Sequence, residues 1–401
     1  MGELHEFGIV VLVVALGAFG ALGTYKLTER FPVPAPALFL IVAAVASDVF
    51  PGLETVISIH NVERIGVVAL IVILFDGGMH IGWRRFRRAI VPIGALGIVG
   101  TLTTAVLVTI SAHFLLDFSW TLSGVVGAAL SPTDPAVMFS ILGDKEIRGR
   151  SGTILEGEAG VNDPVGIALL IGMVDFATHG SGSGWTVVQE FVVEMSIGLA
   201  VGVAGTALLV LFMRRVRLPS EGLYPLRTLA AAGIIYGLAS VAHGSGFLAV
   251  FIAGLALGDL DVPYQRQIQR FHTALASLGE IVVFVALGLT VNASQLFDDG
   301  VWLDGLLLAI GLAFVARPLG LAPMLVPMKL RLGEKLFIAW SGLKGAVPIL
   351  LAAIAILSEV DDARHIYEIV FVVVLFSVVV QGATVPFAAS RLGVPMRVVG
   401  R

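Results

Sequence analysis

Cysteine is absent from this chain, which removes disulfides, thiolate metal sites and thiol nucleophiles at once and leaves the redox compartment open. Charge is scarce too. Only 13% of the 401 residues are Asp, Glu, Lys or Arg, where a water-soluble domain carries about a quarter. So few charges cannot cover a water-facing surface. No Gly-x4-Gly-Lys-Ser/Thr loop occurs, which excludes a pump driven by ATP through a phosphate-binding loop. No Asp sits in the Gly-x-Gly-Asp context of an intramembrane aspartyl protease. The formal net charge is −4 and the basic residues fall in short scattered clusters, so no nucleic-acid surface is expected. The first apolar stretch, Gly8–Tyr25, is expected to be a true span rather than a cleavable leader, because Glu3, His5 and Glu6 precede it where a signal peptide carries Lys or Arg.

What the chain has is hydrophobicity, at 57% of residues. The natural unit is therefore the ~20-residue helix that crosses a bilayer. Apolar stretches predict thirteen spans, at 8–25, 35–50, 65–82, 89–113, 120–141, 153–177, 187–213, 226–243, 246–259, 271–292, 301–326, 335–357 and 366–390. Loop charge supports the count. One set of alternate loops carries 21 of the 25 basic residues, and the opposite set only Arg64 and Arg364. Cytoplasmic loops hold the Lys and Arg, which predicts an all-α integral membrane protein with its N-terminus outside and C-terminus inside.

Arg317 and Lys344 fall inside spans, as do Asp76, Asp134, Glu158 and Asp163. Ionisable groups at that depth cost ~2.5–3.5 kcal/mol each on insertion scales and are rare unless paired or functional. One such residue fits a structural ion pair as well as a functional site. Six of both signs in a few spans point to function. Two of those spans are broken. Span five contains Ser131-Pro132-Thr133-Asp134-Pro135 and span twelve Gly342-Leu343-Lys344-Gly345-Ala346-Val347-Pro348. A seven-span offset makes the two breaks antiparallel. Spans one to six (residues 1–180) and eight to thirteen (225–392) then read as inverted repeats, with span seven (185–215) as linker and 393–401 as a cytoplasmic stub of one membrane domain. Matched interruptions in two halves mark a transporter's midplane site.

Asp134 is expected to offset the positive end of the half-helix it starts, and Lys344 the negative end of the half-helix before it. Asp134 and the Thr133 hydroxyl also offer hard oxygen ligands to a small cation. Span six adds Glu158 and Asn162 on one helix face, with Asp163 about 100° round from Asn162. Burial opposes the charged form of a carboxylate, so such an acid can hold either a proton or a cation near neutral pH. Glu280, His80 and His243 read as ordinary residues near span ends or interfaces.

These motifs, with Leu74-Phe75-Asp76-Gly77-Gly78, Arg317-Pro318-Leu319-Gly320 and Gln381-Gly382-Ala383-Thr384, resemble the monovalent cation:proton antiporter family, in its electroneutral NhaP-like branch. The similarity covers nearly the whole chain, in order. It implies a homodimeric transporter, not an enzyme, without cofactor, in the cytoplasmic membrane of a prokaryote. It also implies crossed broken helices and the exchange of one Na+, Li+ or K+ for one proton. Asp163 would bind cation and proton, with Thr133 and Asp134 contributing. Asn162 would be held by Asp76 and Arg317, and Glu158 would pair with Lys344. Two departures stand out: Ala159 replaces a frequent serine ligand, and Lys344 replaces a commoner arginine. The competing expectation is a sodium-coupled organic-anion symporter of similar inverted architecture.

Overall fold

The computed structural model describes residues 34–50, 58–142, 145–179, 184–298 and 300–398, with Leu12, Phe19, Gly20 and Gly23 before them. The first expected span therefore lies almost wholly outside the described residues. Each of the other twelve coincides with a helical segment. They are α1 (Ala35–Val49), α2 (Ile59–Ile81), the short α3 (Trp83–Arg88), α4 (Ile90–Leu116), α5 (Trp120–Leu130) and α6 (Pro135–Leu142). After a three-residue strand β1 (Lys145–Ile147) come α7 (Gly149–His179), α8 (Gly184–Arg215), α9 (Leu223–Val241), α10 (Gly246–Gly258) and α11 (Gln265–Leu289). The short α12 (Ala293–Asp298), α13 (Val301–Leu325), α14 (Leu332–Trp340), α15 (Ala346–Leu357), α16 (Ala363–Arg391) and strand β2 (Met396–Val398) follow. Among the described residues, seven helices are long and apolar enough to cross a membrane unaided.

Helices begin earlier than hydropathy alone predicts. α2 starts at Ile59, six residues before the apolar run, because Ser58 caps it by accepting the Asn61 N–H at 3.3 Å. Its first two turns carry His60, Asn61, Glu63 and Arg64, which dilute the hydropathy signal there. The sequence also gives no warning of the two strands, which pair antiparallel with Glu146 opposite Arg397. A second hydrogen bond, from the Arg148 N–H to the Pro395 carbonyl at 2.7 Å, extends this tie.

Interhelical contacts place the loops at two ends. The Arg84 N–H donates to the Asp259 carboxylate, joining the loops after α2 and α10. Arg85 reaches Thr153 and Glu156 at 3.3 Å, adding the start of α7, and the Tyr224 and Tyr264 rings lie 4.7 Å apart, adding the start of α9. The β1–β2 tie brings in the C-terminal segment. At the opposite end, Asp48 accepts the Ala293 and Ser294 N–H groups, and Arg364 donates to the Thr290 carbonyl. Among the described residues, the basic segments around Arg84, Arg148, Arg227, Arg266 and Arg397 thus share one end, as the alternation of charge predicts for them.

Small residues set the closest packing. An added Cβ at Gly254 of α10 would strike the Phe75 carbonyl of α2, and one at Gly78 would lie 2.6 Å from the Phe251 carbonyl. In an apolar environment such backbone approach, rather than hydrophobic burial, holds helices together. The outer face of α8 stays exposed, with Val192, Val203 and Leu208 at 53–66%. Three helices widen locally into π-turns, at Ala95–Gly100, Leu312–Ala316 and Ser377–Gln381. Gly254→Val should destabilise the α2–α10 pair by about 1–3 kcal/mol, read as a lower unfolding temperature in detergent.

Candidate ion-binding site

Each helix break frees backbone donors and acceptors that must find partners away from water. The breaks at 131–134 and 341–345 do so by crossing. The Asp134 N–H donates to the Leu343 carbonyl at 2.8 Å, joining them directly. Pro135, first residue of α6, has no N–H to satisfy. Glycine permits the approach: a Cβ on Gly345 would collide with the Asp134 carboxylate, and one on Gly342 with the Arg317 guanidinium.

Two cations cap the carbonyl ends of the broken helices. Lys344 donates from Nζ to the Ser131 carbonyl at 3.1 Å and the Pro132 carbonyl at 2.7 Å, just beyond the end of α5. Arg317 donates from Nε to the Ala339 carbonyl at 3.1 Å and from Nη2 to the Ile338 carbonyl at 3.4 Å, in the last turn of α14. Both positive charges therefore meet negative helix ends. The same Nη2 donates to Glu158 Oε1 at 2.9 Å, an ion pair whose side chains are 3% and 2% exposed.

α7 brings the acids in. Glu158, Asn162 and Asp163 are buried along two turns of it, and Asn162 donates from Nδ2 to Thr133 Oγ1 at 2.6 Å. Glu158 Oε2, Asn162 Oδ1 and Asp163 Oδ1 have no hydrogen-bond partner among the described residues. Buried acceptors without donors are costly, and three on one stretch of helix form an electron-rich cluster suited to a proton or a hard cation. A small pocket, with a volume of about 10 Å³, lies beside them and is lined by Thr133, Asp134, Glu158, Ala159, Arg317, Ser341 and Gly342. Asp163 is not on its wall.

The expected pairings are exchanged. Arg317 takes Glu158 rather than Asn162, and Thr133 takes Asn162. Asp76 is elsewhere, accepting from Thr273 Oγ1 at 3.1 Å and lying 3.3 Å from the His80 ring. Lys344 lies on carbonyls instead of on Glu158. The reason is shape: a guanidinium fork serves a carboxylate and carbonyls together, whereas a compact ammonium fits a concave set of backbone oxygens. The break charges also serve the opposite helix. Asp134 lies against Gly345, at the start of α15, and Lys344 caps α5.

Sequence reasoning missed the π-turns, which have no compositional mark, and Ser377 of α16; it singled out Gln381 and Thr384 as part of a motif without placing them at the second break. It also passed over Gly149-Arg150-Ser151-Gly152, which has the Gly-x-Ser-Gly spacing of a serine protease. Ser151 is fully buried and its hydroxyl donates to the Arg148 carbonyl at 3.5 Å, so it presents no nucleophile.

Crossed, mutually bonded helix breaks beside buried acids are the arrangement on which a membrane carrier builds an ion site. A profile of the transmembrane sodium/hydrogen exchangers matches residues 13–391, and the chain belongs to that family. It is 35% identical to the K(+)/H(+) antiporter NhaP of Alkalimonas amylolytica, over 97% of this chain and 68% of that protein. It is 32% identical to the K(+)/H(+) antiporter NhaP2 of Shewanella sp. (strain MR-4), over 94% of this chain and 66% of that one. The chain thus spans about two thirds of the length of these relatives. The sodium proton antiporter MjNhaP1 from Methanocaldococcus jannaschii superposes with a TM-score of 0.79 at 25% identity, covering 95% of this chain and 100% of that one. These matches lend no support to an organic-anion symporter.

Arg317→Gln should strand Glu158 without its cation and cost about 3–5 kcal/mol of stability. Adding Glu158→Gln should recover much of that loss, as measured by thermal unfolding of the single and double variants.

Proposed function

We propose that this protein exchanges one monovalent cation for one proton across the cytoplasmic membrane of a prokaryote. Cation and proton compete for Asp163, with Asp134, Thr133, Asn162 and Glu158 completing the site. Arg317, Lys344 and Asp76 balance charge and hold structure. Family membership supports antiport. The observation that carries the assignment to these residues is the charge count of the cluster: the buried Glu158 and Asp163 and the half-buried Asp134 set three carboxylates against two cations, Arg317 and Lys344, and Asp163 keeps an unpartnered oxygen. Such a site is short by one positive charge, which either one proton or one Na+, Li+ or K+ supplies. A carrier that must hold one or the other to move cannot leak either, and the exchange is electroneutral.

The architecture assigned to this activity is thirteen spans in one membrane domain. Residues 1–180 and 225–392 form two inverted six-helix repeats, and α8 is the linker. Support comes from the paired breaks and from the π-turns of α4 and α13, which are counterparts under a seven-span offset. The C-terminus and the basic loops face the cytoplasm. α4–α7 and α13–α16 form the body that moves against the remaining helices, which also build a homodimer.

The test uses proteoliposomes with a pH dye inside. Pulses of sodium, lithium and potassium should collapse a preset pH gradient for at least one ion, without changing the membrane potential, and Asp163→Asn should abolish the response. No proton movement with any of the three ions would overturn the reading. Topology has its own test, helped by the cysteine-free background. In intact cells an impermeant maleimide should label Asp361→Cys and not Glu221→Cys.

A further inference from the structure

Lys344 is held at both ends of its residue, and only one end belongs to the ion-site geometry above. Its main chain lies in the unwound stretch 341–345, flanked by Gly342 and Gly345, where no helical ladder fixes it. Glycine on both sides leaves this stretch conformationally free unless something external pins it. The Leu343 carbonyl is bound by the Asp134 N–H, and the Lys344 amide is pinned from α16. The Lys344 N–H donates to Ser377 Oγ at 2.8 Å, the Ser377 hydroxyl donates to Gln381 Oε1 at 3.1 Å, and Gln381 Nε2 donates to the Trp340 carbonyl at 2.5 Å. Trp340 is bound a second time, its indole N–H donating to Thr384 Oγ1 at 3.0 Å.

The polarity of this chain is fixed. Ser377 has one hydrogen, which goes to Gln381, so its lone pairs must accept from Lys344. The Gln381 carbonyl accepts, so its amide N–H groups must donate to Trp340. The pair thereby binds both lips of the break, the last carbonyl of α14 and the amide of Lys344. Ser377 and Gln381 are the two ends of the π-turn in α16, and both are buried. Single π-turns inside α-helices commonly mark functional positions.

We propose that Ser377 and Gln381 are positioning residues for the exchange site: they set where the Lys344 charge stands relative to Asp163 and Asp134. The inference rests on the assignment of those acids to the ion site. When the clamp is cut, the Lys344 main chain is free to swing and its ammonium leaves the Ser131 and Pro132 carbonyls. The site then becomes more negative, holds its cation more tightly and releases it more slowly. Apparent KM and maximal rate fall together. A merely structural role behaves differently, because partial unfolding lowers the number of active molecules and leaves KM where it was.

The experiment measures KM and maximal rate for the transported cation in proteoliposomes, with unfolding temperatures for each variant. Ser377→Ala should lower KM by roughly three- to tenfold, the size expected when one charge moves a few ångströms in a protein interior. Lys344→Gln should do the same, and the double variant should show no further fall. Ser377→Thr, which keeps the hydroxyl, should restore the native values. If Ser377→Ala does not fold, Gln381→Met gives the same reading. A native KM in Ser377→Ala or Gln381→Met, or a KM that falls further in the double variant, overturns the clamp. Loss of cation-driven proton movement in the native protein would instead strike at the proposed function itself, so the two failures are distinguishable.

Discussion

Backbone groups cannot go unpaired in hydrocarbon, and the structure is organised around that constraint. Two helices are interrupted where water cannot satisfy them, and each interruption becomes the partner of the other. The Asp134 N–H meets the Leu343 carbonyl, Lys344 meets the carbonyls of Ser131 and Pro132, and Arg317 meets those of Ile338 and Ala339. Once the breaks are satisfied this way, two positive charges are committed to helix ends. Glu158 and Asp163, the buried acids of α7, then have to share them, and of these two Glu158 obtains the ion pair with Arg317. The shortage of cations around Asp163 is thus a consequence of how the breaks are held.

That shortage is also what a carrier needs. An acid fully paired to arginine would have no use for a transported ion, and an acid open to water would bind sodium or potassium too weakly to matter. Asp163 is buried, keeps one unpartnered oxygen, and stands beside an asparagine turned toward Thr133. Exchange follows if the loaded states, with proton or with cation, are the ones that can cross. Charge balance, rather than a gate with its own chemistry, then sets the coupling.

Much of this was legible in the sequence. Each of the twelve apolar runs within the described residues coincides with one helix or with the two halves of a broken one, because a bilayer demands long hydrophobic stretches. The breaks were visible because proline and glycine remove donors and rigidity at known positions. Asp134, Glu158, Asp163, Arg317 and Lys344 were visible because charge at that depth is rare; Asp134, Glu158, Arg317 and Lys344 lie at the crossing, and Asp163 is buried further along α7. Partner choice was not legible. Which cation faces Glu158 depends on side-chain reach across helices far apart in sequence, and Arg317 won it over Lys344. Asp76 shared the same rarity and lies instead with His80 and Thr273, so depth alone does not place a residue in the site. The β1–β2 tie and the π-turns were invisible for a related reason: three-residue pairings and one-residue insertions leave no periodicity behind.

The central claim is that one cation and one proton exclude each other at Asp163. Counting protons released when the purified protein binds its cation tests this most directly, for instance by calorimetry in buffers of different ionisation enthalpy. The account predicts about one proton released per cation bound where Asp163 is protonated beforehand, and none from Asp163→Asn. Cation binding with no proton release at any pH would contradict it.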